Sequence, residues 1–375
     1  MPKNIVVCCD GTGGKFGSRN TNVVKLCDIL RINAQEQLLF YDPGLGTFSI
    51  KPAVSKVTEV FYKVLGLAFG VGLTQNMIEA YSYIMNHFEE GDRIYLFGFS
   101  RGAYTARAIA AMIYNCGLLH PGSDNLLPYA VDLLKQKYKD ANETVGEGAA
   151  VLKEFKRIYA REVPIHFLGL WDTVTSVGWV WEPQFLPNTT NNPDVRTVCH
   201  ALAIDERRAF FKQNLWKFGR EHEHSQSVKQ VWFAGVHSDV GGGFPETESG
   251  LSQIALEWMV IEAQKKGLLV DEERARQLLC APPLPNHLGA LHNSLKAVWW
   301  VAEFFPKIAS KKQDDNTYKS YIRVNLGRRR YIEPGAVIHQ SAVQRRESSQ
   351  SNYHPDNWPV SFDTEPWVRW ECPPK

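Results

Sequence analysis

Short apolar runs alternate with longer amphipathic stretches through most of the chain. The runs at 4–9, 37–41, 93–99, 165–171 and 229–236 are compact, rich in Val, Ile, Leu or Phe, and end near Gly or Asp. That pattern predicts strands buried on both faces. Between them, 74–90 places Met77, Tyr81, Ile84 and Phe88 on one stripe, and 102–116, 127–140, 151–161 and 251–266 have similar helical periodicity. Such alternation predicts an α/β fold: a doubly wound, mostly parallel sheet with helices on both faces. Residues 115–160 read as a helical cap insertion, 142–149 as a polar linker and 183–194 as a Pro/Asn-rich loop. The expected division is a catalytic domain over 1–270 and a helical and irregular extension over 271–375 packed on it. Within that extension, 345–352 reads as exposed.

Composition narrows the class. The chain has 375 residues, 44% hydrophobic and 22% charged, with a net charge of +2. Those values exclude a disordered or fibrous chain, and the near-zero charge gives no footprint for nucleic acid. Aromatic content is high at 12%, with 11 Trp, which suggests large apolar contact surfaces. The seven cysteines form no C-x-x-C pair. They read as buried free thiols in a reducing compartment, without a disulfide framework or a zinc site. Cys8 and Cys9 would point to opposite faces of their strand. Only Lys3 precedes the first apolar run and Asp10 ends it, so no signal peptide is read there. The nearly uncharged stretch 64–73 is too short and Gly-rich to cross a bilayer. The expectation is a cytoplasmic protein, with export by a dedicated secretion system still compatible.

The chemistry begins at Gly98-Phe-Ser100-Arg-Gly102, which fits G-x-S-x-G. The pattern alone is weak, but a strand-like run precedes it and a helical run follows. Strand, sharp turn and helix make up a nucleophile elbow, with Gly on either side where side chains have no room. The helix start would aim the Arg101 N–H at a developing oxyanion. The plainer alternative is a serine capping a helix behind a Gly turn. A serine nucleophile needs a base, and the base an orienting acid, each at a strand end. The run 165–171 ends in Asp172, and the run 229–236 ends in His237, so the order Ser, acid, His is met. Asp239 competes as the acid, but residues i and i+2 rarely position each other's side chains. The loop Asp10-Gly-Thr-Gly-Gly14 after the first strand is a candidate for the second oxyanion donor, through Gly11 or Thr12, with Asp10 orienting it. A plain Gly-rich turn is the alternative there, as at 42–46 and 241–243.

Six stretches, taken together, resemble one family. They are CCDGTGG (8–14) followed by TNV (21–23), YDPGLGT (41–47), GDRIYLFGFSRGAYTAR (91–107), FLGLWDTVTSVG (167–178), HALAIDERRAFF (200–211) and VWFAGVHSDVGGGF (231–244). In this order they resemble the catalytic domain of the type VI secretion phospholipase effectors of the Tle class. The resemblance implies an α/β-hydrolase fold and hydrolysis of carboxylic esters, often of phospholipids, by a Ser-His-Asp triad without metal or cofactor. It makes Ser100 the nucleophile and His237 the base. It does not settle the acid, for which Asp172 in the WDT motif is preferred.

Three further features and three rivals complete the reading. The run 297–305 is an aromatic helix candidate with Lys307, Lys311 and Lys312 behind it and Arg328 to Arg330 later. A lipid-facing helix using Trp299, Trp300, Phe304 and Phe305 competes with ordinary core packing there. Glu221-His-Glu-His224 lacks a matching distant ligand set and reads as a solvated loop. Asp205-Glu-Arg-Arg208 reads as structural ion pairs. A phosphatase mechanism on the first strand fails because Cys8 stands where a nucleophilic Asp is needed, and no P-loop occurs. The non-enzymatic rival is a degenerate hydrolase fold serving as a binding scaffold. Trp171 and Trp232, on the strands carrying Asp172 and His237, are expected to wall an acyl pocket.

Overall fold

In the computed structural model the described residues are 2–11, 17, 19–44, 69–140, 147–174, 178–179, 182–183, 186–209, 211–217, 226–296, 299–300, 303–304, 307–312 and 318–372. An eight-stranded sheet organises them. Its strands are β1 (Asn4–Cys9), β2 (Gln37–Asp42), β3 (Arg93–Phe99), β4 (Ile165–Trp171), β5 (Thr197–Ala203), β6 (Ser227–Phe233), β7 (Ala336–His339) and β8 (Phe362–Glu365). The order across the sheet is β2-β1-β3-β4-β5-β6-β7-β8, and every pairing is parallel. The chain winds outward from β1 to β2 and then returns to build the rest on the other side. The switch point therefore lies between β1 and β3, where the carboxyl ends of parallel strands open a crevice.

Strand alternation divides the core. Ile5, Val7, Cys9, Ile94, Leu96, Leu168 and Leu170 face one layer, with buried residues of α2 (Phe69–His87), α3 (Arg101–Cys116), α4 (Leu127–Asp140) and α5 (Glu147–Tyr159). Val6, Cys8, Tyr95, Phe97, Phe167 and Trp171 face the other, with α1 (Asn22–Ile29), α7 (Gly250–Gln264) and α8 (Glu272–Leu279). Short α6 (His237–Gly241) follows β6, and α9 (Gln340–Glu347) follows β7. Helices thus cover both faces, as the alternation predicts. Cys8 and Cys9 do lie on opposite faces. The stripe Met77, Tyr81, Ile84 and Phe88 is buried in the first layer.

Several expectations need correction. β5 is read only as part of a motif in the sequence, yet it is fully buried between β4 and β6. The stretch beyond 328 supplies two sheet strands, β7 and β8, where an irregular extension is expected. Each is only four residues long, too short for a periodic signal. The segment 345–352 starts inside α9, and Arg345 is buried, donating to the carbonyls of His287 and Gly289. Cysteine usage also differs. Cys280 and Cys372 form a disulfide across 92 residues of sequence. The tail returns along α7, where Trp367, Arg369 and Trp370 bond Glu257, and that brings Cys372 beside the end of α8. Cys8, Cys9, Cys27, Cys116 and Cys199 take no part in a disulfide. Among the described residues, no helix is long and apolar enough to cross a membrane.

Candidate active site

A sharp turn at Ser100 joins β3 to α3. Ser100 holds φ 58°, a conformation that costs a non-glycine residue of order 1–3 kcal/mol and persists only when its surroundings fix it. Here the Ser100 N–H donates to the Trp171 carbonyl at 3.0 Å, tying the end of β3 to the end of β4. Both flanking glycines are obligatory. A Cβ on Gly102 would lie 2.1 Å from the Cys9 carbonyl, and one on Gly98 would lie 2.5 Å from the Gly102 carbonyl. Backbone from β1 and from α3 closes over this turn too tightly for any side chain. Arg101 opens α3, so the helix N-terminus begins at Ser100.

Asp172 and His237 meet beyond the carboxyl ends of β4 and β6, which flank β5. His237 Nδ1 lies 2.5 Å from Asp172 Oδ2, and both side chains are buried. The ring sits between Phe99 at 4.6 Å and Phe211 at 4.9 Å between centroids. Its main-chain N–H donates to Glu206 Oε2 at 3.2 Å. With Nδ1 held by a carboxylate, Nε2 is the nitrogen available as a base. Burial pulls the His237 pKa below its ordinary value, and the Asp172 carboxylate opposes this only in part. The resting imidazole is therefore neutral, the form a general base requires.

Asp172 carries more than His237. Its Oδ1 accepts from the Ala203 N–H at 3.0 Å, and Arg330 grips both oxygens, Nη1 to Oδ1 at 2.5 Å and Nη2 to Oδ2 at 2.9 Å. Burial would push the Asp172 carboxyl up, but the Arg330 charge and the His237 hydrogen bond outweigh it and hold the group well below the usual carboxylate range. Asp172 also has positive φ, 39°. The sequence places Arg330 only in the basic run 328–330 weighed as a lipid-facing flank; its partner Asp172 lies 158 residues away, with no local signal for the pairing.

Asp239 serves a different histidine. Its Oδ1 lies 2.5 Å from His292 Nδ1, and its Oδ2 accepts from the N–H groups of Val236 and His292. Glu248 takes the other His292 nitrogen at 2.9 Å, and Phe244 stacks on the ring. The two bonds outweigh burial and raise the His292 pKa. Asp239 thus fastens the loop around 292 to the start of α6 rather than orienting His237.

The β1 loop lies beside the serine, for a Cβ built on Gly11 would be 3.4 Å from Ser100 Cβ. Its expected role needs correction, however. The Gly11 N–H donates to Asp10 Oδ1 at 2.6 Å, so it is engaged there where an open oxyanion donor is expected. Thr12 lies outside the described residues. Asp10 does orient the loop: its Oδ2 accepts from Thr21 Oγ1 and the Tyr41 hydroxyl. The TNV stretch binds the site's far side, where Asn22 Nδ2 donates to the carbonyls of Val240 and Ser252. Asp205 pairs with Arg329, and Glu206 with Arg208 at 2.8 Å, the ion pairs expected there.

The aromatic residues are distributed differently from expectation. Trp171 is fully buried and donates from Nε1 to the Ala255 carbonyl, so it belongs to the core under α7. Trp232 packs with Leu202, Ile204 and Ile338. Both side chains are thus used in core packing on the sheet faces, where an acyl-pocket wall is expected. Phe211 and Trp299 lie on the His237 side instead, 5.4 Å apart, with the Arg208 guanidinium over both rings. Trp300 and Phe304 are exposed, at 41% and 64%, and Phe305 lies outside the described residues. Residues 221–224 also lie outside them. Among the described residues, no cluster of His, Cys, Asp and Glu is arranged to hold a metal ion.

A parallel α/β sheet with helices on both faces, a sharp turn at Ser100 at its switch point and a buried His–Asp pair is an α/β-hydrolase-like arrangement. The chain belongs to the family described as T6SS, Phospholipase effector Tle1-like, catalytic domain, whose model matches residues 3–262. A relative from Saccharomyces cerevisiae, uncharacterized protein YEL023C, is 37% identical over 220 residues, covering 56% of this chain and 32% of that protein. The chain thus spans about a third of the length of that relative. An uncharacterized protein of known structure from Pseudomonas aeruginosa matches at 20% identity and TM-score 0.42, over 73% of this chain and 47% of that one. The Tle1 effector, solved bound to the VgrG spike of the type 6 secretion system, matches at 17% identity and TM-score 0.37, over 67% and 53%.

Proposed function

We propose that this chain is a serine hydrolase cleaving carboxylic esters of lipids, phospholipids among them. The observation that carries the reading is the buried 2.5 Å bond between His237 Nδ1 and Asp172 Oδ2 next to the strained Ser100 elbow. In the proposed reaction Ser100 Oγ attacks the ester carbonyl while His237 Nε2 takes its proton. The tetrahedral oxyanion is held by the Arg101 N–H at the start of α3. His237 then protonates the departing alcohol, leaving an acyl-serine. Water, deprotonated by His237, attacks that acyl group, releases the carboxylic acid and restores Ser100. The family membership supports lipid over other esters. A fluorophosphonate probe tests the nucleophile directly: it is expected to phosphonylate a single serine, Ser100, its oxygen bonding to phosphorus as fluoride leaves, and an adduct mapped to any other residue rejects the assignment.

Lipid would approach over the aromatic edge. Glu303 is fully buried and accepts from the N–H groups of Ala209 and Gly327 and from Asn325 Nδ2, which fixes its position against the loops beside it. Trp299 then faces Arg208 and Phe211, while Trp300 and Phe304 face outward. The basic positions Lys307, Lys311 and Lys312 follow directly, a charge pattern suited to anionic headgroups. The double substitution Trp300→Ser with Phe304→Ser is expected to weaken binding to phosphatidylglycerol vesicles at least about tenfold, each aromatic being worth roughly 1.5 kcal/mol or more when fully buried. Turnover of a soluble short-chain ester should stay within about twofold. Unchanged vesicle affinity would rule out this docking edge.

A further inference from the structure

We infer that Arg330 is a positioning residue of the proposed triad: its two-pronged grip on Asp172 fixes the carboxylate toward His237 and offsets part of its charge. The inference rests on the serine-hydrolase reading and extends it to a residue far outside the family-matched segment, 3–262.

Geometry carries the case. A triad carboxylate is ordinarily oriented by neutral donors, and here Ala203 N–H supplies one of them. Arg330 adds two charge-assisted bonds in the planar fork that fits a carboxylate. The fork is itself fixed. Arg330 Nη2 and Nε donate to the Phe211 carbonyl at 2.6 and 3.1 Å, Nη1 donates to the Ala203 carbonyl at 3.2 Å, and the Arg330 carbonyl accepts from Asn357 Nδ2 at 3.0 Å. With its side chain buried, the guanidinium cannot exchange these partners for water. By holding the Phe211 carbonyl, Arg330 also places the Phe211 ring that packs edge-on to His237. One side chain thereby sets both the acid and one wall of the base.

The charge matters as well as the position. An unopposed buried carboxylate beside His237 would strongly favour the imidazolium and so hold the base protonated at moderate acidity. Arg330 neutralises much of that field while leaving the hydrogen bond in place. The other ionisable groups around the pair are already committed. Glu206 is paired with Arg208, His200 accepts from the Thr173 N–H and lies beside buried Arg107, and Asp10 is held by Thr21 and Tyr41. Asp239 is bonded to His292, and Arg101 stands at the start of α3.

The test is the pH dependence of kcat/KM on a soluble ester, with each protein normalised by fluorophosphonate titration of live serine. Arg330→Gln is expected to move the acid midpoint up by about 0.5–1 pH unit, because removing the cation lets Asp172 stabilise the imidazolium more strongly. A purely structural role would lower the titrated fraction and leave that midpoint in place, and an unchanged midpoint overturns the inference. If the Gln variant does not fold, Arg330→Lys decides. It keeps the charge and loses the fork, so kcat should fall about tenfold at constant KM with the midpoint unmoved. A Lys variant with wild-type kcat overturns the positioning role. Ser100→Ala runs alongside: turnover by that variant at the wild-type rate would reject the serine-hydrolase reading itself, whatever Arg330 does.

Discussion

Ser100→Ala is expected to lower ester turnover by about 100,000-fold or more, leaving only what binding and the oxyanion donor provide over water. The size follows from the chemistry proposed. Without the hydroxyl no acyl-enzyme forms, and water would have to attack directly in a site shaped for a side-chain nucleophile. Folding should survive, because Ala loses only one oxygen and the main-chain bond from Ser100 N–H to Trp171 remains. The measurement is turnover of a p-nitrophenyl ester and of a phospholipid by purified wild-type and variant proteins. Equal rates from the two would favour the rival, a hydrolase fold kept as a binding scaffold with a contaminating activity.

Asp172→Asn should cost about 10,000-fold in kcat, since an amide can offer its N–H to Nδ1 and hold the wrong tautomer. It should also lower stability, which a simple triad substitution would not do. Asp172 is the carboxylate partner of buried Arg330, and removing one member of a buried pair costs roughly 3–5 kcal/mol. A thermal melt of the variant is therefore expected at clearly lower temperature, while the folded fraction stays almost inactive. Asp239→Asn is the control. It loosens the His292 contact and leaves the His237 bond intact, so kcat should fall less than about tenfold. A larger kcat loss in Asp239→Asn than in Asp172→Asn would exchange the two assignments.

These contrasts show where local pattern suffices. The sharp turn at Ser100 is legible because everything it needs is contiguous: β3, two glycines, Ser100 and the start of α3 occupy 93–116. Strand ends at Asp172 and His237 are legible for the same reason, as each closes an apolar run or follows one closely. The family resemblance rests on these same stretches and holds across the matched segment.

What the amino-acid order determined alone is thus the layered α/β plan, the serine turn and a short roster of acids and bases. Tertiary structure decided how that roster is wired. Asp172 and Asp239 are both carboxylates beside strand or helix ends, and only the approach of β4 and β5 to His237 separates them from the alternative partner His292. The Arg330 fork, the turn of Gly11 N–H toward Asp10, the burial of Trp171 and the Cys280–Cys372 bridge were equally out of reach. Most of these join residues tens to more than a hundred positions apart. Side-chain periodicity reports which face of its own element a residue occupies. It carries no information about which distant element will be folded against that face.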